Sequence, residues 1–366
     1  MKAAVCHQRN QPLRVEEVAL DPPGPGEVAV RLAASGVCHS DLSAISGVLP
    51  VELPAVLGHE GAGTVEAVGP GVSGLAPGDP VVLSWVTSCG SCFFCGCGRP
   101  NLCEVGERIN RTHRQPDGTA RVRLDGRELQ AVSALGTLAE RAVVPAAAAV
   151  KLPAGVPLDA AALLGCSVMT GVGAVLNTAR VAPGSSVAVF GAGGVGLNVV
   201  QGAVLAGAAR VIVVDTNPRK LSLAESFGAT DAVDASQGDP ATAVRKLTAG
   251  RGADYAFEAV GRKTTIEQAY AATRRGGTCV VVGIGAREES AAINTFFLPI
   301  LEKRLVGCWY GSADVHRDFP RLLAFWQAGR LKLDALITQR YRLEEVNEAL
   351  AALAEGRNAR GLVVFS

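Results

Sequence analysis

The sequence predicts a two-part α/β protein: a doubly wound parallel sheet joined to a mainly β domain. Two textures and one motif predict it. Before Ala162 the chain reads as short strands separated by Gly- and Pro-rich turns, and from Val187 onward short β-branched runs alternate with helix-like segments. A Gly-x-Gly-x-x-Gly turn stands at the head of the second regime.

At 366 residues the chain has room for two domains and a sizeable core. With 48% apolar and 19% charged residues and a net charge of +1, it is neither a disordered chain nor a basic one. It carries no electrostatic footprint for nucleic acid or anionic lipid. The first nine residues, Met1 to Arg9, turn polar too early for a signal peptide, and no apolar run reaches the roughly 18 residues that span a bilayer. The expectation is a cytoplasmic protein with neither a nucleic-acid nor a membrane partner.

In chain order, strands are expected over 2–7, 13–18 and 27–33, the last two separated by the turn Pro22-Pro23-Gly24-Pro25-Gly26. A short helix fits 40–46. From Gly61 to Leu83 valines alternate with small residues between two glycine turns, the texture of a twisted antiparallel barrel. Residues 84–105 form a cysteine lobe, and 106–136, polar and Arg-rich, read as an ordered surface insertion. Six strands are expected at 187–190, 211–215, 232–233, 253–258, 278–283 and 304–309, in the sheet order 3-2-1-4-5-6. Two helices near 315–328 and 343–355 and a closing strand at 361–365 complete the chain. The Ala-rich run 146–149 is a linker or strand edge.

The stretch 187–215 carries the clearest chemistry. Its flanking runs are apolar without alternation, as strands buried on both faces are. Between them lies Gly191-Ala192-Gly193-Gly194-Val195-Gly196. Gly191 permits the tight turn, Gly193 lets the backbone approach a pyrophosphate, and Gly196 lets helix pack on strand. The following helix offers its free N–H groups to the anion. Asp215, nineteen residues past Gly196, is placed to accept from the adenosine ribose hydroxyls. Strand, turn, helix, strand and acid in this order point to a dinucleotide, and the acid favours NAD over NADP.

Ten cysteines in a long chain without a signal peptide point to metal or redox chemistry rather than disulfides. Cys89, Cys92, Cys95 and Cys103 follow C-x2-C-x2-C-x7-C among Gly, Ser and Pro, a spacing that can close a four-thiolate structural zinc site. Cys97 lies in the same loop and is read as a bystander. Cys38, His59 and Cys166 are scattered. Two thiolates and an imidazole would leave Zn2+ one open position, yet each residue also fits a packing role, and spacing alone does not join them. Asp41 is a plausible partner to orient His59.

With these motifs in view, the chain resembles the zinc-dependent alcohol dehydrogenases of the medium-chain dehydrogenase/reductase family from end to end. The resemblance rests on 36–41, Gly58-His59-Glu60, the four-cysteine loop, Gly165-Cys166, 191–196, Asp215 with Lys220, and Arg360. Pro116-Asp117-Gly118-Thr119 and Leu135-Gly136-Thr137 resemble the liver-type and glutathione-dependent formaldehyde dehydrogenase branches. The resemblance implies a GroES-like catalytic domain at 1–167, a Rossmann NAD-binding domain at 168–309 and a return to the catalytic domain at 310–366. It implies that Cys38, His59 and Cys166 hold a catalytic zinc, giving two zinc ions per chain, with Glu60 just behind. Ser40 would accept the alcohol proton. His39 and Arg360 would contact the pyrophosphate, Lys220 the ribose, and Thr170 the nicotinamide ring. Leu49, Trp85, Leu135 and Trp309 would line the pocket for a small alcohol or aldehyde.

The expected activity is therefore reversible hydride transfer between an alcohol and NAD, in a homodimer built on the apolar edge strand 304–309. S-(hydroxymethyl)glutathione oxidation is the alternative within enzymes, and a non-catalytic NAD(P)H-binding relative the alternative outside them. Two departures stand out. Ser43 occupies the place of the histidine that ends the liver-type proton relay. The loop Val48-Leu49-Pro50-Val51-Glu52 holds one acid where the glutathione-dependent branch carries an acidic pair.

Overall fold

The structure, a computed structural model, describes residues 1–365. The chain divides into two compact units. The first comprises Met1–Cys166, Asp314–Ala324 and the segment from Leu333, and the second Ser167–Ala313 and Phe325–Lys332.

The second unit is built on a six-stranded parallel sheet. Its spatial order is Asp231–Asp234, Arg210–Asp215, Ser186–Phe190, Ala253–Glu258, Thr273–Val281, Arg304–Gly307, which is 3-2-1-4-5-6 in chain order. Val187 pairs with Val211 on one side and Tyr255 on the other, so the first strand is central. Helices cover a parallel sheet of this kind, which is why Val187, Ala188, Val189 and Ile212 are fully buried and the strand reads as an unbroken apolar run. Two strands depart from expectation. The fifth begins at Thr273 rather than 278, because Asp254 of the neighbouring strand holds Arg274 at 2.6 Å and extends the pairing through a bulge. The sixth ends at Gly307, where the chain leaves the edge for the turn Tyr310–Ser312.

The first unit holds two mainly antiparallel sheets. One runs Ala149–Lys151, Pro80–Leu83, Gly61–Val68, Glu27–Val37, Arg360–Val364, Ile337–Tyr341, with Arg141–Pro145 also on the long strand Glu27–Val37. Its core gathers Val28, Leu32, Val65, Leu83 and Leu135. The strand Ile337–Tyr341 had no sequence signal: Thr338, Gln339 and Arg340 are polar, as an edge strand permits. The other sheet includes Lys2–Cys6, Ala55–Val56 and the hairpin Val122–Leu124/Arg127–Ala131. That hairpin corrects the expected surface insertion. Ala55 pairs with Gln130, and Val122 and Leu129 are buried at 5% and 1% exposure.

Two helices of this unit matter for the site. Helix α1 (His39–Ser46) begins where the long strand ends, with Cys38 as its extended N-cap, and stops at Gly47 in the left-handed region (φ 87°). Helix α2 (Glu104–Thr112) begins at Cys103 and ends on His113, also left-handed. Among the described residues no single helix is long and apolar enough to cross a membrane.

Candidate active site and metal centres

Cys38, His59 and Cys166 are brought together in the first unit, with their ligand atoms within 4.8 Å of one another and all three side chains buried. Asp41 builds the arrangement. At the third position of α1, its Oδ2 accepts the Cys38 N–H (2.9 Å), half of a capping box. Its Oδ1 accepts the Gly58 N–H (3.1 Å) and lies 3.4 Å from His59 Nδ1. One carboxylate thereby ties the first turn of α1 to the loop carrying His59 and turns Nδ1 toward itself. Among the described residues Nε2 is left buried without a hydrogen-bond partner. A buried ring nitrogen so placed beside two thiols has the character of a metal ligand.

The ionisations agree with that donor set. The Cys166 thiol, donating to Cys38, holds Cys38 well below the ordinary thiol range, with His59 assisting and burial opposing. The same pairing and burial push Cys166 well above it. Burial opposes charge on His59, but Asp41 and Cys38 outweigh it and raise its pKa to about 10. The opposite shifts of the two thiols and the raised His59 mark groups competing for protons, and a dication replacing those protons would neutralise two thiolates. Two sulfurs and one nitrogen fit Zn2+ with a fourth position open.

Cys89, Cys92, Cys95 and Cys103 also converge within 4.8 Å. Backbone amides serve the sulfurs: Cys89 N–H reaches Cys103 Sγ at 3.2 Å and Cys92 N–H reaches Cys89 Sγ at 3.3 Å. The Ser91 amide leads the effects that lower Cys89 to about 6, while burial and Cys92 push Cys95 up to about 12. Sulfurs competing for protons at such range suit a closed Zn2+ site better than four thiols. Cys97 is exposed and outside the cluster.

In the second unit the glycine turn follows Ser186–Phe190. Gly191 is left-handed (φ 97°), and a Cβ on Gly196 would collide with the Gly191 carbonyl. The space around Gly193, the N-cap of helix Gly194–Leu205, is open, so a phosphate can approach its backbone. Asp215 ends the next strand and accepts from Ala192 N–H (2.8 Å) and Asn217 N–H (2.9 Å), which fixes its carboxylate against the turn. Lys220 lies half-buried in the helix Pro218–Ser226. Thr170 Oγ1 is buried without a partner among the described residues.

Residues 24–154 match the family profile described as "Alcohol dehydrogenase GroES-like domain", and residues 194–328 the one described as "Zinc-binding dehydrogenase". An "NDMA-dependent alcohol dehydrogenase" of Amycolatopsis methanolica is 42% identical over 100% of this chain and 99% of its own length. This chain belongs to the zinc-dependent alcohol dehydrogenases of the medium-chain dehydrogenase/reductase family. An "S-(hydroxymethyl)glutathione dehydrogenase" of Synechocystis is 36% identical over 100% of this chain and 99% of its own. The crystal structure of benzyl alcohol dehydrogenase from Acinetobacter calcoaceticus superimposes with a TM-score of 0.95 at 31% identity, covering 100% of this chain and 99% of that one.

The dehydrogenase distributes its other expected site residues unevenly. Ser40 Oγ lies 3.9 Å from Cys38 Sγ, while the neighbouring His39 is exposed. The Trp85 ring stands edge-on to His59, centroids 6.5 Å apart. Leu49 is half-buried, and Ser43 accepts the Leu49 N–H at 3.0 Å through its carbonyl. Leu135, expected in the pocket, sits at 2% exposure in the barrel core, just after the short turn Val132–Ala134. Trp309 is 39% exposed in the second unit. Arg360, expected at the pyrophosphate, is 3% exposed and ion-paired with the fully buried Glu60, because a guanidinium taken from water needs a carboxylate. Its Nε still has no hydrogen-bond partner among the described residues. The Glu60–Arg360 pair carried no sequence signal, being 300 residues apart. Gly36 makes room for it, since a Cβ there would lie 2.5 Å from Glu60 Oε2.

Proposed function

We propose that this dehydrogenase is NAD-dependent, binds two Zn2+ per chain, and interconverts a small alcohol with its aldehyde or ketone. The observation that carries the reading is the convergence of Cys38, His59 and Cys166 with an unpartnered, buried His59 Nε2. These three residues would hold the catalytic zinc, and Cys89, Cys92, Cys95 and Cys103 the structural one. When bound, the catalytic zinc supplies Lewis acidity that lowers the alcohol's pKa, and the nicotinamide ring supplies the hydride acceptor.

The chain's own residues bind, orient and move a proton. Asp41 holds Cys38 and His59 in register. Ser40 Oγ would take the hydroxyl proton, and with Ser43 in place of a relay base that proton would pass on to water. Trp85 and Leu49 exclude water from the reacting carbon. In the second unit the N-terminus of helix Gly194–Leu205 favours a pyrophosphate, and Lys220 would meet the ribose. Asp215 accepts ribose hydroxyls and repels a 2′-phosphate.

The testing experiment is turnover of the zinc-loaded protein on aliphatic, benzylic and S-(hydroxymethyl)glutathione substrates, with NAD, NADP or NDMA as acceptor. Alcohol oxidation with NAD is expected. Equal kcat/KM with NADP would remove the NAD assignment, and turnover with NDMA alone would replace free NAD as the acceptor. The glutathione adduct remains the second reading because a relative at 36% identity bears that name. Against it stands the loop 48–52, where Glu52 is the single acid.

A homodimer is part of the proposal. Strand Arg304–Gly307 pairs on one side only, and Leu305, Phe296, Phe297 and Ile300 of the same unit are 43%, 67%, 50% and 57% exposed. An unpaired edge beside exposed aromatic and aliphatic side chains suits a two-fold mate. Sedimentation should give twice the chain mass, and Leu305→Lys should lower it. A cytoplasmic setting is also proposed, because six thiol ligands need a reducing compartment.

A further inference from the structure

His113 belongs to none of the sequence motifs, yet it is 8% exposed and both ring nitrogens are committed to backbone of the first unit. Ser133 N–H donates to its Nδ1 at 3.1 Å, and its Nε2 lies 3.1 Å from the Pro50 carbonyl. An amide N–H only donates and a carbonyl only accepts. The ring must therefore be neutral and carry its proton on Nε2. Burial lowers its pKa, against a smaller opposing effect of the Pro50 bond.

The two backbone groups belong to segments next to residues of the candidate site. Pro50 follows Leu49 in the loop after α1. Ser133 opens the turn to Thr137, whose N–H donates to the Gly58 carbonyl (3.0 Å) beside His59 and whose Oγ1 meets Ser35 Oγ at 2.7 Å. His113, Ser133 and Ala134 all have φ of 55°, the left-handed region that side chains other than glycine seldom adopt. Three such residues around one ring mark a geometry enforced by its surroundings rather than by local preference. Arg9, Glu52, Arg111, Arg114 and Gln130 line an open cavity of about 510 Å3 over the ring.

We infer that His113, as the neutral Nε2–H tautomer, is a positioning residue that clamps the loop 48–52 to the turn 132–137 and so sets the affinity for the alcohol. The inference rests on the alcohol dehydrogenase reading. It predicts a split between constants: loosening Leu49 weakens alcohol binding, while Cys38, His59, Cys166 and the second unit are untouched.

The test compares His113→Phe, which fills the space without either bond, with His113→Gln, whose amide can both donate and accept. For His113→Phe the alcohol KM should rise about tenfold, with kcat within about twofold and with zinc content and NAD affinity unchanged. His113→Gln should recover most of the loss. An unchanged alcohol KM in folded His113→Phe overturns the inference. So does a parallel decline of kcat, NAD affinity and zinc content that Gln does not rescue, which marks a structural residue only. Should His113→Phe not fold, the Gln variant and side-chain 15N shifts of the native protein decide. An Nδ1–H tautomer, or a protonated ring at pH 7, refutes the clamp. The shift measurement needs no turnover, so an inactive wild type would indict the alcohol reading and leave the clamp to be judged separately.

Discussion

Removing the Asp41 carboxylate should separate metal binding from folding in a measurable ratio. Asp41 is 1% exposed and serves three neighbours: Cys38 N–H at 2.9 Å, Gly58 N–H at 3.1 Å and His59 Nδ1 at 3.4 Å. Asp41→Ala strands two buried backbone donors at about 1–3 kcal/mol each, so the metal-free protein should lose about 2–6 kcal/mol. That is a large share of the roughly 5–15 kcal/mol that holds a domain together. Asp41→Asn keeps the volume and one acceptor oxygen, but its amide turns an N–H toward a donor. About 1–3 kcal/mol should go, with one donor left unpaired. In both variants His59 loses its orienting partner, and affinity at the three-ligand centre should fall about 10–100-fold. Chelator competition on the zinc-loaded protein reads the affinity, and urea unfolding of the metal-free protein reads the stability. The four-cysteine centre serves as internal control and should retain its zinc in Asp41→Asn. If Asp41→Ala binds zinc with wild-type affinity and unfolds at the wild-type midpoint, Asp41 organises neither.

Other perturbations should divide along the same lines. Cys103→Ser should lower Tm and the yield of soluble protein, because Cys103 both joins the four-sulfur cluster and starts α2; a count of one zinc in well-prepared wild type would contradict the two-centre scheme. Cys38→Ser should instead give a folded, NAD-binding protein without turnover. Ser40→Ala should remove most turnover at every pH, whereas Ser43→His should raise the rate more at neutral than at alkaline pH, since an imidazole titrates near 6.5; an unchanged pH–rate profile would exclude a missing relay base. Asp254 accepts from Ser186 N–H, Ser186 Oγ and Arg274 Nε at 2.7, 2.6 and 2.6 Å, and although burial opposes its charge these bonds lower its pKa. A folded pKa below the unfolded value gives stability that is present above about pH 4 and lost as pH falls through the folded value. Asp254→Asn should therefore destabilise at pH 7 but hardly at pH 2–3; an equal loss at both would show that the charge is irrelevant.

What could be read from the sequence was whatever lies close along the chain. The turn from Gly191 to Gly196 and the four-cysteine loop are contiguous, so proximity in sequence enforces proximity in space. The order 3-2-1-4-5-6 followed from strands alternating with helices, because right-handed crossovers leave few other ways to bury both faces of a parallel sheet. Asp41 could be paired with His59 only as a plausible partner; the capping of Cys38 made it a necessity of the first turn of α1.

The tertiary structure alone decided the long-range meetings. Cys38 leaves a strand end, His59 a loop and Cys166 a short helical segment, and no periodicity relates them. The hairpin Val122–Leu124/Arg127–Ala131 looked like surface because charges interrupt its apolar residues, yet two buried apolar side chains suffice to dock it when a neighbouring strand offers hydrogen bonds. Glu60 meets Arg360 across 300 residues and His113 meets Pro50 across 63. In each case a buried polar group must be satisfied wherever the fold delivers a partner, a requirement that belongs to the packed interior and leaves no mark on the spacing of residues.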